Sequence, residues 1–326
     1  MAQRVKSFIV NNAPLLVTII IFVIVYFIGG QLYPVMKKPQ VFFNLFINNA
    51  SLLIISIGLT LVIISKGIDL SVAGIIALTS AASAALLQAG MSPWVVLPLM
   101  LLMGTTLGLI MGSIIHYFKV EPFIVTLMGL WFARGMAYII TLTSLTISDD
   151  VYRFLALTKI PIPGFEKAYL YIPSLIGPVL LLIVFYISKY TRFGRTIYAI
   201  GNNEQSAELM GLPVARTKII VYTFGGFCSA LGGIVFSISL LSGYGGYANS
   251  MELDAISSVV IGGTLLTGGA GNVIGTLFGV LINGTIVSIL QFNGTLSSWW
   301  TRIGVGALTL IFLGIQSLIN LKKRNV

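Results

Sequence analysis

Few residues in this 326-residue chain could take part in chemistry. His116 is the sole histidine and Cys228 the sole cysteine. His116 stands beside Tyr117 and near Lys119 at the end of an apolar run, which suits an interfacial residue better than a ligand or base. Cys228 lies inside an apolar run, where a small buried thiol is the ordinary reading, and one cysteine builds neither a disulfide nor a metal cage. No paired carboxylates suggest hydrolysis. No G-x-x-x-x-G-K-[ST] loop is present, so the chain lacks the usual grip on ATP phosphates. Gly269-Ala270-Gly271 followed by Gly275 has the wrong spacing for a dinucleotide fingerprint, and no strand precedes it. The chain therefore reads as a non-enzyme that binds no cofactor of its own.

The ionisable residues in or beside apolar segments are functional candidates, because a charge within a bilayer is expensive. Arg134 is the clearest; its alternative role is to pair with carbonyls or a carboxylate inside a bundle. Asp69 could pair with Lys66, three residues earlier. Glu252 and Asp254 fall near the outer surface, where water can solvate them. A proton-driven carrier uses buried acids along its path, and only Asp69 could serve. Asn44, Asn48, Asn49, Ser51 and Ser56 could offer hydrogen bonds to a passing polyol, or could bond helix to helix. Asn48, Asn49, Asp69 and Arg134 are thus the candidates for a translocation path.

These residues need elements to position them. The chain is 57% apolar and only 9% charged, where a soluble domain carries about 25% charged residues. This composition implies an all-α, polytopic membrane protein with one transmembrane domain over residues 1–326. A span needs about 20 apolar residues. Ten segments qualify: 14–33, 45–65, 70–89, 94–116, 122–142, 169–188, 217–240, 255–270, 272–291 and 298–320. The first follows a basic start and is longer than a signal-peptide core, so it reads as a retained span.

The net charge of +10 does not point to nucleic acid, because the basic residues sit in short blocks at the ends of apolar runs, where headgroups select them. With the N-terminus inside, twelve basic residues fall in inner segments and five in outer ones. Both termini are then expected in the cytoplasm. An odd number of spans would leave Lys322, Lys323 and Arg324 outside, so the short eighth segment is expected to cross.

Glycine is spaced for packing. Gly104, Gly108 and Gly112 form a four-residue ladder on the fourth segment, and Gly271, Gly275 and Gly279 form another on the ninth. Each is followed by a Trp-x-x-Arg, at Trp131–Arg134 and Trp299–Arg302. Ile68-Asp69 and Leu253-Asp254 precede them. Segments 2–5 and 7–10 would then be two inverted repeats, of the kind that place a path at their interface. Chance spacing in a glycine-rich chain is the alternative. The ladders let helix backbones approach closely in lipid, and a re-entrant pore loop is the rival reading for 261–276.

One hydrophilic loop, 189–216, stands out at the inner side. Within it Asn203-Glu204-Gln205-Ser206-Ala207-Glu208-Leu209-Met210 predicts a short helix. Asn202 or Asn203 would cap it, Glu204 suits its positive start, and Gly211 and Pro213 end it. Leu209 and Met210 would be exposed unless something covers them. With Arg192, Arg195 and Arg216 around it, the helix reads as a docking element. A surface helix lying on the bilayer is the alternative.

Three stretches carry a resemblance: SKGIDLSVAG (65–74), TRFGRTIYAIGNNEQSAELMGL (191–212) and ELDAISSVVIGGTLLTGGAGNVIGTLFG (252–279). They resemble the ribose-type branch of ABC sugar importer permeases. The family commonly has glycine where Lys66 stands, so that turn could differ here. GTLSSWWTRI (294–303) resembles the galactofuranose transporter permeases. The resemblance implies a permease in the bacterial inner membrane that imports a monosaccharide, with galactofuranose or a similar furanose as the expected sugar. It implies two cytoplasmic ATP-binding subunits carrying ATP and magnesium, a periplasmic sugar-binding protein and a second permease, a paralogue rather than an identical chain. It also makes Asn203, Glu204, Ala207, Glu208, Leu209, Met210 and Gly211 the ATPase-coupling helix. The rival class is a stand-alone channel or ion-coupled sugar carrier.

Overall fold

The structure is a computed structural model that describes residues 13–294 and scattered positions between 299 and 314. Its helices are α1 (Ala13–Leu32), α2 (Pro39–Asn48), α3 (Ala50–Ile64), α4 (Val72–Gln88), α5 (Pro93–Tyr117), α6 (Pro122–Ile140), α7 (Asp150–Leu157), α8 (Ile172–Tyr190), α9 (Arg192–Asn202), α10 (Glu204–Leu209), α11 (Val214–Leu240), α12 (Met251–Ile261) and α13 (Val273–Asn293). Four very short strands form two antiparallel pairs: β1 (Leu145–Thr146) with β4 (Ser242–Gly243), and β2 (Lys159–Pro161) with β3 (Tyr169–Tyr171). The chain is an all-α polytopic membrane protein.

Among the described residues, six helices are long and apolar enough to cross a bilayer: α1, α5, α6, α8, α11 and α13. The pair α2–α3 makes a seventh, bent by 56°. The expected all-α, polytopic architecture fits, and several of the ten expected segments differ in form. The second expected span starts at Pro39 rather than 45 and breaks at Asn49. The third is α4, of 17 residues. The eighth is α12, of 11 residues, about 16 Å long and too short to cross alone. The tenth expected span, 298–320, lies outside the described residues apart from scattered positions, and so does Arg302.

The short helices α3 and α4 are surrounded by protein. Every residue of α3 is buried, as are residues 72–84 of α4; a helix apolar all round belongs in such a place. After α11, residues 241–250 fold back into the bundle. Gly243 there packs on the Ser80 carbonyl and Ala84 of α4, and Gly245 on Ala137 and Tyr138 of α6. Then α12 completes the return beside α13. Irregular backbone at depth is tolerated when protein satisfies it.

The glycine ladders mark two of the closest contacts. Gly104 and Gly108 meet Gly226 and Tyr222 of α11, and Gly226 in turn meets the Gly104 carbonyl. Gly275 and Gly279 meet Gly262 and Ser258 around α12. Gly271 differs from expectation: it precedes the Asn272 cap of α13 and lies in the connecting loop. The proposed repeats also differ in their acids. Asp69 precedes α4, whereas Asp254 lies inside the first turn of α12.

Candidate functional site

The three stretches singled out by sequence come together at one end of the bundle. Thr191 caps α9, accepting from Gly194 N at 3.2 Å. Asn203 caps α10, accepting from Ser206 N at 2.9 Å. At its other end Gly211 N donates to Glu208 O at 2.9 Å and Leu212 N to Ala207 O at 3.1 Å. Gly211 takes φ +74 there, a left-handed conformation that glycine adopts without strain. The expected helix and its bounds are therefore present. Ala207 is buried against Ile200 and Val214. Lys218 Nζ pairs with Glu204 at 2.7 Å, which ties α10 to α11. Outward, Leu209 is 90% exposed and Met210 67%. Glu208 is exposed beside them.

The α9–α10 element is pinned to the bundle from behind. Gly201 lies so close to the Ile64 carbonyl and the Gly269 backbone that a methyl group would overlap both. Gly269 N donates to Ile64 O at 2.9 Å. Tyr198 OH donates to Gly271 O at 2.9 Å, and burial holds its phenol above the usual range, which keeps that proton in place. Gly268 packs on Lys66. The α9–α10 element thus abuts the end of α3 and the glycine-rich loop before α13. Lys66 takes φ +66. The turn keeps the left-handed form that a glycine would take, although a lysine occupies it.

Behind this contact lies Asp69, fully buried. It accepts from Ser71 N at 2.8 Å and from Ser71 Oγ. Among the described residues its Oδ2 and the Tyr222 hydroxyl have no hydrogen-bond partner. The expected pairing with Lys66 is absent: Lys66 is exposed and makes no ion pair among the described residues.

The other path candidates lie elsewhere. Arg134 is buried on α6, and its Nη1 donates to Gly245 O and Tyr247 O, both at 2.9 Å. It holds the folded-back segment 241–250, the carbonyl-pairing alternative. Asn49 sits at the bend between α2 and α3. Its Nδ2 donates to Leu45 O at 2.8 Å and packs on Gly284 of α13. Asn48 is exposed at the end of α2. Thus Asp69, Arg134 and the asparagine pair occupy three separate places. Sequence reasoning missed Tyr198 and Tyr222; Tyr198 lay inside a quoted stretch, but nothing local marks the partner it reaches.

The chain is a multi-pass helical bundle with a pinned, outward-facing short helix, and it matches a family of membrane transport components. The family described as "Branched-chain amino acid transport system / permease component" matches residues 41–313, and the chain belongs to it. It is 43% identical to the inner membrane ABC transporter permease protein YjfF of Escherichia coli K12, over 94% of this chain and 92% of that one. It is 37% identical to the fructose import permease protein FruG of Bifidobacterium longum, over 94% and 91%. It is 31% identical to the ribose import permease protein RbsC of Escherichia coli K12, over 91% of each. No solved structure matches.

Proposed function

We propose that this chain is the membrane-spanning subunit of an ATP-driven monosaccharide importer in a bacterial inner membrane, with galactofuranose or a similar furanose as its sugar. The family description names branched-chain amino acids, but relatives that align along almost the whole chain carry the names of fructose and ribose permeases. The furanose assignment rests on the resemblance of residues 294–303. The chain has no phosphate loop, so ATP and magnesium sit on a partner ATPase. A periplasmic binding protein delivers the sugar. A second permease, a paralogue, completes the path, and both termini are cytoplasmic.

The observation that carries this reading is the exposed Leu209–Met210 tip on a helix pinned from behind. Two apolar side chains left exposed on a helix pinned from behind add nothing to the core and suit a cleft on a partner. Residues 203–211 would transmit the ATPase motion to Ile64 and to Gly268–Gly271, and so tilt the bundle between inward-open and outward-open states. Sugar drives the switch only by binding the two states differently.

Glu204 is a poor place to test this, because its ion pair with Lys218 belongs to the local fold. Leu209→Asp and Glu208→Arg alter only the exposed tip. The expected outcome is normal membrane insertion with ATPase association weakened by about tenfold or more and loss of sugar-stimulated ATP turnover. Full turnover and uptake in both variants would remove the coupling role.

A further inference from the structure

Beside α10 lies an open cleft of 820 Å³. Arg192 and Arg195 of α9 and Arg216 of α11 line it, together with Phe193, Leu212 and Ile220. All three arginines are exposed, and among the described residues none forms an ion pair. Among the described residues no acidic side chain lines the cleft. Glu204, on the neighbouring helix, is already engaged by Lys218. Three arginines without ion pairs among the described residues therefore border one space, each with five N–H donors in a planar fork.

The depth of the cleft is set by α8. Tyr186 and Tyr190 are exposed at its end, and Lys189 Nζ lies 5.3 Å from the Phe185 ring centre and 5.7 Å from that of Tyr190. Exposed tyrosines with a lysine mark the headgroup level of a bilayer. Arg192 follows Tyr190 by two residues. On α11, Ile220 is exposed one turn beyond Arg216, on the way into an apolar span. The cleft thus has cations at the headgroup level and an apolar floor that continues toward the hydrocarbon. An acidic protein segment would match the charge but not that floor.

We propose that this cleft binds an anionic phospholipid, its headgroup phosphate held by Arg192, Arg195 and Arg216 and its acyl chains laid along Ile220. Guanidinium forks match phosphate oxygens in pairs, and basic pockets at the membrane edge favour anionic headgroups.

The test is native mass spectrometry of the assembled transporter, extracted from a bilayer of equal parts phosphatidylglycerol and phosphatidylcholine. The wild type is expected to keep phosphatidylglycerol in preference to phosphatidylcholine. R192Q/R195Q/R216Q is expected to keep roughly tenfold less of it, while R192K/R195K/R216K, which keeps the charge but loses the paired fork, is expected to fall between the two. Excess inorganic phosphate is expected to leave the lipid in place. No preference in the wild type, or equal retention in the glutamine variant, would overturn the proposal. Displacement by inorganic phosphate would make this a site for a soluble anion and overturn it too. So would lipid that binds only after the ATPase is stripped away, because the cleft would then be a protein contact.

Discussion

At the scale of single residues, the charged groups divide sharply by what they touch. Arg134 has a role that its own geometry completes: two carbonyls of one segment on one guanidinium nitrogen. Sequence marked it as costly and therefore meaningful, and also offered carbonyl pairing as its alternative. The structure supplies that alternative. Arg134→Ala leaves the Gly245 and Tyr247 carbonyls without this donor in a buried setting. The expected loss is about 3 kcal/mol, read as a lower melting temperature in detergent, with the ranking of transported sugars unchanged. Altered sugar preference at unchanged stability would instead place Arg134 in the path. Asp69 shows the opposite limit of sequence reading. Its burial was legible from its place between two apolar segments, but its partners were not: Ser71 rather than Lys66 bonds it.

At the scale of elements, caps and glycine spacing were the most readable features, because they act over a few residues. Asn203 and Gly211 bound α10 where local rules put them. The Gly104–Gly108–Gly112 ladder lies against a neighbouring helix, as its spacing implies. The identity of that neighbour, α11, depends on contacts more than a hundred residues apart and is invisible locally. The same holds for the bend at Asn49, which has no proline or glycine to announce it, and for the return of 241–261. That segment folds back partly without a helix, held by Arg134 and the faces of α4 and α6. Gly226→Leu tests the α5–α11 contact. A leucine there drives into the Gly104 carbonyl and Gly108, with an expected loss of about 3 kcal/mol or failure to assemble. Leu102→Ala, a little over half a turn from Gly104 on α5 and exposed, is expected to cost far less. Equal melting temperatures for both variants would mean that this contact is slack.

At the scale of the whole molecule, the proposed role makes the chain a gate moved by a motor outside it. Its place in a transport permease family and the exposed tip of α10 support that reading. Under it, the contacts of Gly201 and the Tyr198 hydroxyl on α9 with Ile64, Gly269 and Gly271 would carry the push. The resemblance drawn from three short stretches was strong because those stretches meet in space: each holds the others in position, so their residue types are constrained together. The sugar is the least legible feature, since the candidate path residues Asp69, Arg134 and the Asn48–Asn49 pair lie apart among the described residues. The most direct measurement is sugar uptake into liposomes containing the purified chain, with and without its ATPase, second permease and binding protein. The account predicts accumulation against a gradient only with the full set and ATP. Accumulation by this chain alone, driven by an ion gradient, would contradict it.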